Sequence, residues 1–199
     1  MNEKKKELMK GVRDDVFNGA NLPLYAERIA NKVFPVIGEG DHDAKIMFVG
    51  EAPGKNEAAT GKPFCGAAGR VLDELLASID VPRTSVYVTN IVKDRPPQNR
   101  DPFPEEIENY APFLDRQIDI IEPKVIATLG RFSMAYILNH LCGEYFPETI
   151  SKIHGKVFSG TTSYGTVSVI PLYHPAVGLY NPSTKEVMKE DFKLLKTFI

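Results

Sequence analysis

The sequence predicts an α/β fold: a three-layer α/β/α sandwich with a central, mainly parallel four-stranded sheet. Two observations carry this. Short apolar runs at 46–49, 86–88 and 124–129 read as buried strands, rich in Val and Ile. Each is followed by apolar residues at helical spacing, and strands alternating with helices make a parallel sheet covered on both faces. The 199 residues, 43% hydrophobic and 25% charged, suit one domain with a substantial core.

In order, residues 3–17 form a charged helix with Leu8, Val12 and Val16 as its apolar stripe, ended by Asn18-Gly19. Residues 24–33 form a second short helix, and 38–41 a turn. The first strand, 46–49, breaks at Gly50-Glu51-Ala52-Pro53-Gly54; a polar loop follows. A helix over 68–79 then carries Val71, Leu72, Leu75, Leu76 and Ile79 on one face. Residues 85–90 form the second strand and 93–104 a Pro-rich charged loop. Pro104 suits the first turn of a helix, with Glu105 and Glu106 at its positive end. Pro112 inside that pattern predicts a kink or two shorter helices. The third strand, 124–129, leads to a helix over 131–142. A hairpin of 155–159 and 166–173 turns at Tyr164-Gly165, its second arm joining the sheet. Ser183 and Glu186 have the spacing of a capping box before a last helix that buries Val187, Met188, Phe192, Leu195 and Phe198.

The net charge of -2 gives no global basic field, so a nucleic-acid partner would be held by a local patch. No apolar run is long enough to span a bilayer, and the first ten residues lack a secretory core; the expectation is a cytoplasmic protein without a membrane partner. Cys65 and Cys142 lie far apart, form no metal-ligand spacing and are expected as free thiols. Nothing signals an oligomer, so monomer is the default.

Glu51, Asn90 and His174 each follow a strand at its carboxyl end, where open α/β sheets bind ligands. Parallel strands put those ends on one edge, so the three can share a cleft. A carboxylate there can orient or deprotonate a water. An amide offers one donor and one acceptor, matching a base edge. A histidine can donate a proton or hydrogen bond to a developing anion. Phe64 supplies a plane on which a ring can stack. Singly, each has an ordinary structural reading: a solvated carboxylate, a backbone-capping Asn, a buried His, a core Phe. Their convergence is what favours a site.

Four ordered motifs extend this: GEAPG at 50–54, GKPFCGAAGRVL at 61–72, TNIVKDRPPQNRDPFPEEI at 89–107 and HPAVGLYNP at 174–182. They resemble the uracil-DNA glycosylase superfamily, most closely its family-4 branch, and PKVIATLG at 123–130 fits as well. The resemblance runs from about residue 38 to the C-terminus. It implies a single glycosylase domain over 1–199, with 1–37 a helical segment packed on it, acting on DNA that contains uracil or another deaminated base. By resemblance, Glu51 positions the attacking water and His174 faces the uracil carbonyl beside the departing nitrogen. Asn90 reads the base and Phe64 stacks on it. Ala52 borders the base and Glu57 crowds its C5 edge. Leu179 is the candidate strand wedge. Gly66 and Gly69, opening a helix with free N–H groups, are candidate phosphate contacts, with Arg95 and the neighbouring Lys93 and Arg100 adding positive charge.

The chain departs from the resemblance in two respects. Family-4 enzymes usually carry four cysteines that hold a [4Fe–4S] cluster. Here Asp94 stands at the third position and Ala111 or a neighbour at the fourth, and no cysteine precedes Cys65. A cluster needs thiolates, so no metal or cluster is expected, with apolar packing of the N-terminal helices, or pairing of Asp94 with a base, in its place. Ala58-Ala59 also replaces a charged pair common after Glu57, which bears on substrate range. Two alternatives stay open: a glycosylase for hypoxanthine or xanthine, and a non-catalytic binder of deaminated DNA. A nucleotide-binding α/β enzyme lacks support, because no P-loop or G-x-G-x-x-G follows the first strand.

Overall fold

The computed structural model describes residues 3–143 and 148–199; Met1 and Asn2 of the N-terminal segment lie outside the described residues. Helices α1 (Glu3–Asn18) and α2 (Tyr25–Asn31) precede strand β1 (Glu39–Gly40). Then come β2 (Ile46–Gly50), α3 (Lys55–Thr60), α4 (Ala67–Ala77), β3 (Tyr87–Asn90), α5 (Pro104–Ile121) and β4 (Val125–Leu129). The chain continues through α6 (Arg131–Leu141), α7 (Ile150–Ile153), β5 (Phe158–Thr162), β6 (Gly165–Leu172), α8 (Val177–Tyr180) and α9 (Pro182–Lys193).

The sheet has six strands, in the order β1-β3-β2-β4-β6-β5. The expected four-stranded sheet is its parallel centre, β3-β2-β4-β6. Two antiparallel edges extend it, β1 on β3 and β5 on β6. β1 is two exposed residues, Glu39 and Gly40, too short and polar to show an alternating pattern. The first hairpin arm, expected at 155–159, is paired at Phe158–Thr162.

β2, β3 and β4 are buried along their whole length. Their alternation sends side chains to two cores. Met47, Val49, Tyr87 and Ile126 meet α1, α5 and α6 on one face. Ile46, Phe48, Val88, Val125 and Ala127 meet Leu72 and Leu75 of α4 and Met188 and Phe192 of α9 on the other. The α/β/α layering thus follows from apolar strands needing cover on both sides.

Local details differ from expectation for identifiable reasons. On α1 the buried stripe is Met9, Val12 and Val16, while Leu8 is exposed; three- and four-residue steps both fit a helical face. α5 runs unbroken through Pro112, its buried face of Tyr110, Leu114, Ile118 and Ile121 anchoring both halves. The cap of α9 is Asn181, whose side chain accepts from Thr184 N–H, with Pro182 in the first turn; Ser183 donates to Asn181 instead of capping. Val187 is exposed, whereas Met188, Phe192 and Leu195 are buried. α3, in the polar loop, buries only Ala58 and so carries no apolar period.

The N-terminal helices are tied down by a buried polar hub. Arg28, 4% exposed, donates from Nη1 to both oxygens of Asp94 at 3.1 Å and to the Val16 carbonyl at 3.2 Å, and from Nη2 to the Phe17 carbonyl at 2.8 Å. The Tyr110 hydroxyl donates to Asp94 at 2.6 Å, and the guanidinium lies 4.8 Å from the Tyr25 ring centre. Burial pushes the Asp94 carboxyl up, while Tyr110 and Arg28 pull it down; its contacts are all donors, as an ionised carboxylate requires. Removing one member of such a pair strands a buried charge at a cost of about 3–5 kcal/mol. Arg28→Met is expected to lower the thermal midpoint by on the order of 10 °C. Calorimetry showing an unchanged midpoint would mean the hub does not hold the segment.

Candidate active site

The C-terminal ends of β2 and β3 are aligned by their parallel register, Gly50 opposite Asn90. The pairing continues past the strands: Ile91 N–H donates to the Gly50 carbonyl and Val92 N–H to the Glu51 carbonyl, both at 3.0 Å. Glu51 and Asn90 are therefore set side by side by backbone pairing. They open on a cavity of about 360 Å³, at the small end of ligand pockets and sized for one heterocycle.

The cavity is lined by Glu51, Ala52, Glu57, Phe64, Asn90 and His174, all six expected there. Pro96, Asn99, Arg100, Asp101 and Pro102 of the Pro-rich loop form a further wall. That wall was not foreseen. Its signal was the loop's proline content: Pro96, Pro97 and Pro102 stiffen a segment that has only a one-turn helix, Pro97–Asn99. Arg100 is held by two bonds to Glu106, at 2.6 and 2.8 Å, and Glu106 also accepts from Phe103 N–H at the start of α5.

Glu51 Oε1 accepts from Phe132 N–H at 2.9 Å, at the start of α6. A helix N-terminus suits a carboxylate, but sequence reading does not expose a backbone donor 81 residues away. Gly130 makes the approach possible: its φ is +107°, and a Cβ there would lie 2.5 Å from Glu51 Oε1. Burial raises the Glu51 pKa, with Asp101 adding to the rise and Phe132 N–H and Arg131 opposing it. Arg131 is in turn paired with Asp101.

His174 Nδ1 accepts from Ala176 N–H at 3.2 Å. That assigns the proton of the neutral ring to Nε2 and makes Nε2 a donor. Burial lowers its pKa to about 4, against a smaller upward pull from Glu57, so the ring is neutral at physiological pH. The Phe64 ring stands 5.7 Å from it, centre to centre. Phe64 is 7% exposed and holds a left-handed backbone, φ +49°, a strained conformation that neighbours must enforce. It both packs in the core and lines the cavity. Gly50 sits beneath: a Cβ there would lie 2.3 Å from Asn90 Oδ1 and 2.7 Å from Phe64 Cζ.

The expected DNA-facing residues are arranged differently. Gly66 N–H is not free. Glu57 Oε1 accepts from it at 2.9 Å and from Cys65 N–H at 3.1 Å, so the carboxylate occupies the start of α4 and latches the loop carrying Phe64. Gly69 is buried within α4 against the Phe64 carbonyl. Lys93 is fully buried rather than presented to a phosphate. Arg95 donates to Asn99 at 2.6 Å and stands outside the cavity lining. Leu179 is 41% exposed on α8, just after His174, beside Tyr180 at 87%.

The cluster positions do not fit an iron–sulfur group. Asp94 is engaged by Arg28 and Tyr110, Ala111 offers no ligand, and Cys65 and Cys142 are too few. Among the described residues no three His, Cys, Asp or Glu side chains could hold a metal ion together. No helix among them is long and apolar enough to cross a membrane.

A parallel α/β sheet with a carboxylate, an amide and a neutral histidine at its carboxyl edge defines a small-ring pocket equipped for hydrolytic chemistry. The model of the uracil DNA glycosylase superfamily matches residues 37–196, and the chain belongs to that superfamily. A type-4 uracil-DNA glycosylase of Sulfurisphaera tokodaii is 49% identical over 162 residues, covering 81% of this chain and 73% of that protein. One from Archaeoglobus fulgidus is 49% identical over 158 residues, 79% of this chain and 78% of its own. One from Thermotoga maritima is 39% identical over 197 residues, 98% of this chain and 96% of its own.

Because the raised Glu51 pKa means that burial disfavours its charge, ionised Glu51 costs stability at neutral pH. Glu51→Gln is expected to raise the thermal midpoint at pH 7. The gain should fade as pH falls below the ordinary carboxylate range, where the wild-type group is protonated in both folded and unfolded chains. Midpoints measured from pH 3 to 8 check the sign; a midpoint lowered at pH 7 would refute it.

Proposed function

We propose that the protein is a DNA repair glycosylase that hydrolyses the N-glycosidic bond of uracil in DNA, leaving an abasic site, and that it does so without a metal or cluster. The observation that supports this most is the meeting of Glu51, Asn90, Phe64 and His174 on one base-sized cavity in a chain of this superfamily. The duplex must first yield the nucleotide, because a stacked base is out of reach. Leu179 on the exposed face of α8 is the wedge in this reading, and Tyr180 beside it extends the same apolar face.

Once the base is in the pocket, Phe64 stacks on the ring. The Asn90 amide pairs with the uracil O4 acceptor and N3–H donor. Cytosine presents the reverse order and leaves buried polar groups unpaired, a mismatch that costs roughly 10⁴ or more in favourable cases. As the C1′–N1 bond breaks, the sugar gains oxocarbenium character and the base becomes an anion. Neutral His174 donates its Nε2–H to the carbonyl beside N1, where that charge gathers. Ionised Glu51 stabilises the cation and orients the water that adds to C1′. Glu57, bonded to the Phe64 loop, walls the pocket against a larger C5 substituent. The absence of thiolates at the cluster positions and the Arg28 hub support metal-free folding and action.

Base release from a labelled oligonucleotide carrying one uracil, single-stranded or opposite guanine, with EDTA present, tests the reading. Alkali-sensitive cleavage is expected, and Glu51→Ala is expected to reduce it by on the order of 10²–10³ while DNA binding persists. No release of uracil, hypoxanthine or xanthine would leave only a binder of deaminated DNA. The rate is also expected to fall on acidification through the raised Glu51 pKa, with no separate inflection near 6.5, since His174 titrates at about 4. A histidine-like inflection near 6.5 that disappears in His174→Gln would overturn the neutral-imidazole role.

A further inference from the structure

Among the described residues Lys93 is the one buried lysine, at 0% exposure, and it lies three residues beyond Asn90. It forms no ion pair among the described residues; burial pulls its pKa well below the ordinary lysine value, and Asp115, at longer range, opposes that. Its Nζ instead donates to three acceptors: the Asn90 carbonyl at 2.6 Å, Gln117 Oε1 at 2.6 Å and Thr89 Oγ1 at 2.9 Å. Three acceptors match the three donors of an ammonium. Gln117 is itself oriented, because its Nε2 donates to the Ile37 carbonyl at 2.9 Å and the Tyr87 hydroxyl at 3.1 Å, which turns Oε1 toward the lysine. Thr89 donates to the Ile37 carbonyl at 2.6 Å. The amine is thus set in a built cage that spans α5, β3 and the segment before β1.

Burying an amine is costly, and an apolar side chain would fill the same space without that cost. Core packing therefore does not account for a lysine here. What the amine gains is a grip on one peptide group, that of Asn90, whose side chain lines the cavity while its backbone ends β3. The other side of Asn90 has no slack, since its Oδ1 already abuts Gly50.

We infer that Lys93 is a positioning residue for base recognition: with Gln117 and Thr89 it fixes the Asn90 peptide from behind, so that the Asn90 amide meets the base in a single orientation. This rests on the base-reading role proposed for Asn90. Lys93 does not line the cavity and touches no substrate.

A double-mutant cycle on uracil release under single-turnover conditions tests it. Lys93→Met should slow release by roughly tenfold to a hundredfold, the range for leaving buried acceptors without their donor, with binding of uracil-free duplex unchanged. In an Asn90→Ala background the same substitution should change the rate by less than about threefold, because the orientation it protects no longer matters. A merely structural lysine would give independent, multiplying losses in the two backgrounds, and that result would overturn the inference. Thr89→Val, which removes one wall of the cage from a strand suited to Val, should give a smaller loss with the same dependence on Asn90. If Lys93→Met does not fold, that variant decides: an effect of equal size in both backgrounds, or none, overturns the inference. Failure of the underlying reading looks different, as Asn90→Ala alone would then leave both the rate and the preference for uracil over cytosine intact.

Discussion

The site depends on one backbone constraint: the parallel pairing of β2 with β3, carried two residues past the last strand positions. Gly50 opposite Asn90, then Ile91 to Gly50 and Val92 to Glu51, brings the carboxylate and the amide to a set spacing, which the Lys93 cage supports from behind. A one-residue slip would turn every side chain of β3 to the opposite face. It would bury Thr89's neighbours wrongly in both cores and swing Asn90 out of the cavity at once. Recognition and folding are therefore fixed by the same set of hydrogen bonds, and the burial of β2, β3 and β4 on both faces is what makes the register unique.

On that frame, burial gives Glu51 and His174 opposing electrostatic settings. Glu51 faces a helix N-terminus that favours its charge, yet burial and Asp101 work against it. His174 lies within reach of Glu57, yet burial keeps it neutral with its proton on Nε2. Glu57 Oε1 is held by two amide donors at the edge of the same cavity. Burial thus moves two titratable groups of one cavity in opposite directions, the Glu51 carboxyl up and the His174 ring down.

The parts of this arrangement visible in sequence are those written in periodicity and strand ends. The apolar runs of β2, β3 and β4 marked the sheet, and Glu51, Asn90, Phe64 and His174 could be placed on one edge before any coordinates. The edge strands could not, because Glu39–Gly40 is too short for a pattern and Phe158–Thr162 is a mostly exposed, polar strand. The start of α4 read as an open anion site because its glycines were visible and its occupant was not: Glu57 returns from nine residues upstream of Gly66. Lys93 read as a surface charge in a charged loop, and only its cage of Thr89, Asn90 and Gln117 reveals it as an interior group. In each case the missing information was a long-range hydrogen bond, to which composition and spacing are blind.

The hub of Arg28, Asp94 and Tyr110 joins the ends of α1 and α2 to the segment after β3 and to α5. A guanidinium–carboxylate pair has no oxidation state to lose and nothing to dissociate into chelators. Because it is buried, dissolved salt screens it little. A tie of this kind is made wholly of side chains that the chain itself supplies. Reagents that strip or oxidise a metal site leave such a tie untouched.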